Sequence, residues 1–142
     1  MVGGIIVSAR ALITLEFLNK VGPSTFKSLL VATGIGPRKL SQVIKQLRTA
    51  GYVYLIRTPG RIEFVVPEEI GYFDLEKQVS LSLFAARLVE SGGRYELGQA
   101  IFPGGQVFLV KTEAGKILVG DFQVNTYDLK EKPLKECLEK RS

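Results

Sequence analysis

The sequence contains no histidine and a single cysteine, Cys137. The commonest general base and the commonest metal ligand are therefore missing. An intramolecular disulfide, a Cys–His zinc site and a CxxC redox pair are excluded, as is Ser-His-Asp or Cys-His catalysis within the chain. Clustered acids with convergent polar partners do not occur either. The chain reads as a non-enzyme that calls for no cofactor and no metal. Long apolar runs are also lacking. The longest, Val79 to Ala86, holds two serines and meets Arg87, far short of the roughly 20 apolar residues that a membrane span needs. The start has no basic n-region, and Arg10 interrupts its apolar run, so no secretory leader is expected. With a lone cysteine, the expected location is the cytoplasm.

Acids are scarce in one half only. Residues 1–66 carry nine basic side chains but two acids, Glu16 and Glu63, a balance of +7. The remainder carries ten basic and twelve acidic groups, a balance of −2. The front half is thus suited to a polyanion and the back half is not. A length of 142 residues leaves room for one compact domain or two small ones. The charge changes sign at Pro67-Glu68-Glu69, and the expected division is 1–67 and 68–142.

In the front half, Ser8 is placed to cap a helix from about Ala9 to Lys20, with Leu12, Ile13, Leu15, Phe17 and Leu18 as its apolar face. Val21-Gly22-Pro23 stops it. Ser24 is the expected cap of a short helix from Thr25 to about Ala32, ended by a turn at Thr33 to Gly36. Pro37 suits the first position of a third helix, which runs to about Ala50. There Leu40, Val43, Ile44 and Leu47 fall at i, i+3, i+4 and i+7. The opposite face carries Arg38, Ser41, Gln42, Lys45 and Thr49, flanked by Lys39, Gln46 and Arg48, with no acid anywhere on the helix. After Gly51, Tyr52 to Thr58 and Arg61 to Val66 form a hairpin about Pro59-Gly60, with Arg57 and Arg61 beside its tip.

This order, and the stretch from Ala32 to Val53, resemble the winged helix-turn-helix domains of prokaryotic transcriptional regulators. The resembling features are an apolar residue after the turn glycine, leucine recurring along the third helix, and Leu47 to Gly51-Tyr52-Val53 leading into a wing. The resemblance covers about residues 9–66. It implies a third helix that enters the major groove of double-stranded DNA and a hairpin that contacts the backbone. Arg, Lys, Gln and Ser are side chains that read base edges there, mostly from the amino end of the helix. The expected DNA-binding residues are Arg38, Lys39, Ser41, Gln42 and Lys45 on the helix, with Arg57 and Arg61 on the wing. Arg10, Lys20 and Lys27 are weaker candidates for phosphate contact.

Blander readings stand beside this one. The basic helix face is alternatively an ordinary solvated surface, although such faces usually mix signs. Arg57 and Arg61 are alternatively solubilising charge on a hairpin edge. A phosphate-cradling GxGxxG at Gly34 would need glycine where Lys39 stands, and a preceding strand. Thr33 to Leu40 also resembles a helix-hairpin-helix motif, in which a β-hairpin directly after the second helix is not expected. A winged helix that binds protein within a larger assembly, and a sequence-independent binder of DNA or RNA, remain open.

In the back half, a helix is expected from about Tyr72 to Glu90, with apolar residues on more than one side. Either a second copy of the chain covers one side, giving a homodimer, or the two halves of one chain do. Strand runs at Tyr95–Phe102, Gln106–Thr112 and Lys116–Val124 are separated by Pro103-Gly104-Gly105 and Glu113-Ala114-Gly115. A last helix is expected near Pro133, with Leu134, Cys137 and Leu138 as its stripe and Glu131–Lys135 and Glu136–Lys140 as i,i+4 pairs. The fold expected is therefore α+β: a winged helix-turn-helix domain, then a helix, three-stranded antiparallel meander and helix that dimerise the protein or sense an unidentified effector.

Overall fold

Ser8 caps the first helix by accepting the Ala11 N–H on its hydroxyl at 3.3 Å, which satisfies one of the donors a helix start leaves free. The computed structural model describes residues 8–67, 74–96, 98–113 and 115–141. Helix α1 (Ala9–Val21) ends at Gly22, whose φ of 94° needs a residue without a side chain. Ser24 does not cap the next helix as expected. It is buried, donates to Gly22 O at 2.9 Å, and forms with Thr25 a two-residue strand, β1 (Ser24–Thr25). Thr25 is the cap instead, accepting the Ser28 N–H, and α2 runs Phe26–Thr33.

Helix α3 (Pro37–Thr49) begins on Pro37 and buries Leu40, Val43, Ile44 and Leu47, the stripe its spacing predicts. Its end is a Schellman turn. Gly51 N–H reaches Arg48 O at 3.0 Å, Tyr52 N–H reaches Leu47 O at 2.9 Å, and Gly51 takes φ +85°. Strands β2 (Val53–Arg57) and β3 (Glu63–Pro67) pair from Val53 opposite Pro67 to Arg57 opposite Glu63. Strand β1 adds to the far side of β3, with Ser24 opposite Val65, so the sheet order is β1-β3-β2, all antiparallel.

Helix α4 (Leu75–Glu90) is capped by Asp74, which accepts the Glu76 N–H. The expected start at Tyr72 lies outside the described residues. Its apolar sides are covered within this chain. Ala85 and Ala86 belong to the core of the first half, with Leu18, Leu29, Leu40 and Leu47. Leu83, Phe84 and Leu88 belong to a second core with Ile117, Val119, Leu129 and Leu134. Small residues on one side and large ones on the other let α4 lie close to α2 and still fill the sheet side. Polar groups fix it in place. Ser82 Oγ meets Ser28 Oγ at 3.0 Å, and Gln78 Nε2 donates to Pro23 O at 2.8 Å and Val21 O at 3.2 Å. On the other flank buried Arg87 donates to Leu129 O at 2.7 Å and Lys130 O at 3.0 Å, and pairs with Glu90 at 2.9 Å.

The expected three-stranded meander and terminal helix are replaced by a six-stranded antiparallel sheet. The first run divides at Gly98 (φ +77°) into β4 (Arg94–Glu96) and β5 (Gln99–Ile101), and β6 is Val107–Glu113. The last run divides at Gly120 (φ +57°) into β7 (Lys116–Val119) and β8 (Phe122–Val124). Leu97 and Ala114 lie outside the described residues. Only single turns of 3₁₀ helix form at Asp128–Lys130 and Leu134–Glu136, and Leu138–Lys140 is strand β9, paired with β8. The Asn125 carboxamide accepts the Tyr127 and Asp128 N–H groups and bends the chain, and Pro133 withholds a donor. The open edge of β8 then takes Leu138–Lys140, whose N–H and C=O groups pair with it. The expected Glu131–Lys135 and Glu136–Lys140 pairs do not form, and Lys132 instead meets Asp128 at 3.7 Å. Cys137 is fully buried as expected of a structural thiol, and burial, with Asp128 nearby, pushes it above the usual thiol range.

Among the described residues the fold is thus mixed α+β, with four α-helices and two antiparallel sheets. Helix α4 is the shared wall of two cores.

Candidate nucleic-acid interface

Because α3 turns its four aliphatic residues inward, everything polar on it is left outside. Arg38, Lys39, Ser41, Gln42, Lys45, Gln46, Arg48 and Thr49 are all exposed. At 100° per residue, Arg38, Ser41, Gln42, Lys45 and Thr49 share one face, and Lys39 and Arg48 stand at its two sides. None of the four cations on this helix has a carboxylate within 4.0 Å among the described residues.

The amino end of α3 accentuates this. Gly36 precedes it with no side chain to cap it, Pro37 follows, and no acid occupies the first turn. Arg38 and Lys39 therefore sit at the positive end of the helix dipole. That placement costs a few tenths of a kcal/mol to about 1 kcal/mol per charge, and nothing in the described chain offsets it. A phosphate or a base-edge acceptor at that end offsets it directly.

The hairpin β2–β3 supplies two more of the expected residues, in unlike states. Arg57 is opposite Glu63 and reaches its carboxylate at 3.2 Å. Both are well exposed, so the pair adds little stability, but Glu63 competes with an outside anion for Arg57. Arg61 has no such partner among the described residues. It occupies the last position of a three-residue loop, where Thr58 N–H donates to Ile62 O and Arg61 N–H to Thr58 O, both at 2.9 Å. Its φ is +65°, the one non-glycine residue in the left-handed region among those described. Of the weaker candidates, Arg10 and Lys27 are exposed and have no ion pair among the described residues. Lys20 pairs with Glu96 of β4 at 3.2 Å.

The helix residues thus form one continuous surface, and the hairpin pair divides into a neutralised Arg57 and an available Arg61. Arg48, left out of the expected site, belongs with the other exposed cations of α3. The absence of acids on the helix was the sequence signal for it.

No group of three or more metal-ligating side chains occurs among the described residues, and no helix of theirs is long and apolar enough to cross a membrane. No family model, curated protein or solved structure matches the chain.

Proposed function

We propose that the chain is a DNA-binding transcriptional regulator. On this reading its first 67 residues are a winged helix-turn-helix, α3 enters the major groove, and the β2–β3 hairpin lies on the sugar-phosphate backbone. The element order α1-β1-α2-α3-β2-β3 and the sheet order β1-β3-β2 support that assignment. One observation carries the functional reading: the outer face of α3 presents Arg38, Lys39, Lys45 and Arg48 with no carboxylate within 4.0 Å among the described residues, beside the hydrogen-bonding side chains of Ser41 and Gln42. Cations neutralise phosphates, and amides and hydroxyls read bases. A protein-docking surface is instead depleted in Lys.

The decisive experiment titrates random duplex DNA at two or more salt concentrations. If the four cations of α3 and Arg61 each neutralise one phosphate, log K falls against log salt with a slope of about −4 to −5. Absence of binding at low salt by the folded protein removes the reading. A dimer also belongs to it, because two copies place two α3 helices on one duplex face, about 34 Å apart, over a near-palindromic site. Since α4 is covered within the chain, that contact needs another surface. We assign it to the outer face of the six-stranded sheet, where Val107 and Leu109 are 52% and 63% exposed.

A further inference from the structure

Where the last turns of α1, α2 and α4 meet β4, the fold leaves an open cavity of about 180 Å³. Its inner walls include Phe17, Val21 and Val89, the first two almost fully buried. Its charged lining is Glu16, Lys20 and Arg94. Lys20 and Arg94 both approach one carboxylate, that of Glu96, at 3.2 and 3.7 Å. Glu16 lies one turn before Lys20 on the same side of α1 and has no ion pair among the described residues.

Three features define what such a cavity takes. An engineered apolar cavity of about 150 Å³ holds benzene, so a branched aliphatic or phenyl group fits this one. The paired cations form a subsite for a carboxylate, and Glu16 forms one for an ammonium group. Lys20 and Arg94 are balanced by Glu96 and Glu16, so a net-neutral ligand with separated charges suits the site better than a net anion. We propose that this cavity binds a small apolar α-amino acid. Its carboxylate lies between Lys20 and Arg94 in competition with Glu96. Its ammonium group faces Glu16, and its side chain lies against Phe17, Val21 and Val89. The ligand would touch α1 and β4 together, on the two sides of the Lys20–Glu96 pair that links the first half of the fold to its second sheet.

The test uses the full chain, isotope-labelled and free of nucleic acid, so its failure leaves the DNA reading standing. Amide spectra are recorded against L-leucine, leucinamide (no carboxylate) and 4-methylpentanoate (no ammonium). Leucine is expected to give saturable shifts centred on the cavity residues, with a dissociation constant on the order of 1 mM or below. Each analogue is expected to bind about tenfold more weakly. Arg94→Gln, at a side chain 61% exposed and therefore harmless to folding, should weaken leucine about tenfold and leave leucinamide unchanged. The proposal is overturned if leucine gives no saturable shift at about 10 mM. It is equally overturned if all three compounds bind alike, or if Arg94→Gln leaves leucine binding as it was.

Discussion

Arg61 sets stability against binding at a single position. A non-glycine residue in the left-handed region costs about 1–2 kcal/mol, and Arg61 is held there at φ +65° by the hydrogen bonds that close the Thr58–Ile62 loop. Glycine removes that strain but returns about 0.5–1 kcal/mol of unfolded-state entropy. Arg61→Gly is therefore expected to stabilise the protein by about 0.5–1 kcal/mol, a rise in melting temperature of roughly 1–4 °C for a domain of this size. The same change deletes a cation with no carboxylate in reach among the described residues, so DNA affinity should fall and the salt slope should shrink by about 0.9. Arg61→Ala separates the two effects. Alanine keeps the strain and loses the charge, so its binding should match the glycine variant while its melting temperature stays near the wild type. Thermal unfolding of the three proteins, with DNA titrations across a salt series, provides both readouts. A glycine variant no more stable than wild type would show that the loop is unstrained, and an unchanged slope would remove Arg61 from the DNA interface.

The other predictions concern the same surfaces. Gln42→Ala should cost about 1–3 kcal/mol at the preferred site and little on random duplex, with stability within about 0.5 kcal/mol because the residue is exposed; equal losses on both DNAs would make Gln42 a backbone contact. Glu63→Gln should strengthen binding to random DNA by freeing Arg57 from its 3.2 Å partner, while Arg57→Ala should lower the salt slope by less than Arg61→Ala does; the reverse order would mean that Arg57 leaves Glu63 to engage phosphate. Leu109→Glu, at an exposed position, should leave folding intact and convert the dimer to monomer in sedimentation, because it would place an unpaired carboxylate in an apolar contact; a wild-type monomer at tens of micromolar would refute the dimer itself.

Much of the first half was legible from local pattern. Helix α3 is the clearest case, since its apolar residues recur at helical spacing, Pro37 suits its first turn and Gly51 its end. The seven exposed cations and polar groups of the expected site on α3 and the hairpin tip follow from that phase and from the turn at Pro59-Gly60. The cap at the second helix was misplaced by one residue, because Ser24 and Thr25 both carry a hydroxyl. Only the pairing of Ser24 with Val65 across the fold distinguishes the strand residue from the cap.

Sequence alone determined what depends on neighbours within a turn: helix phase, the Ser8 cap, the stops at Gly22 and Gly51, the strand-like runs, and the acid-free surface of α3. It also determined the chemistry that the absence of histidine removes. Tertiary structure decided whatever depends on a distant partner. Leu134 and Cys137 had the spacing of a helix stripe, yet Leu138–Lys140 became a strand because the open edge of β8 offered backbone partners that a short helix could not use. Apolar residues on several sides of α4 were compatible with a second chain or with one chain's own two cores. The placement of Ala85 and Ala86 in one core and Phe84 and Leu88 in the other settled that choice. Arg57 and Arg61 looked equivalent in the sequence, but strand register neutralised the first with Glu63 and loop closure held the second at positive φ. Charge and periodicity are properties of a segment, whereas register, burial and strain belong to the contact between segments.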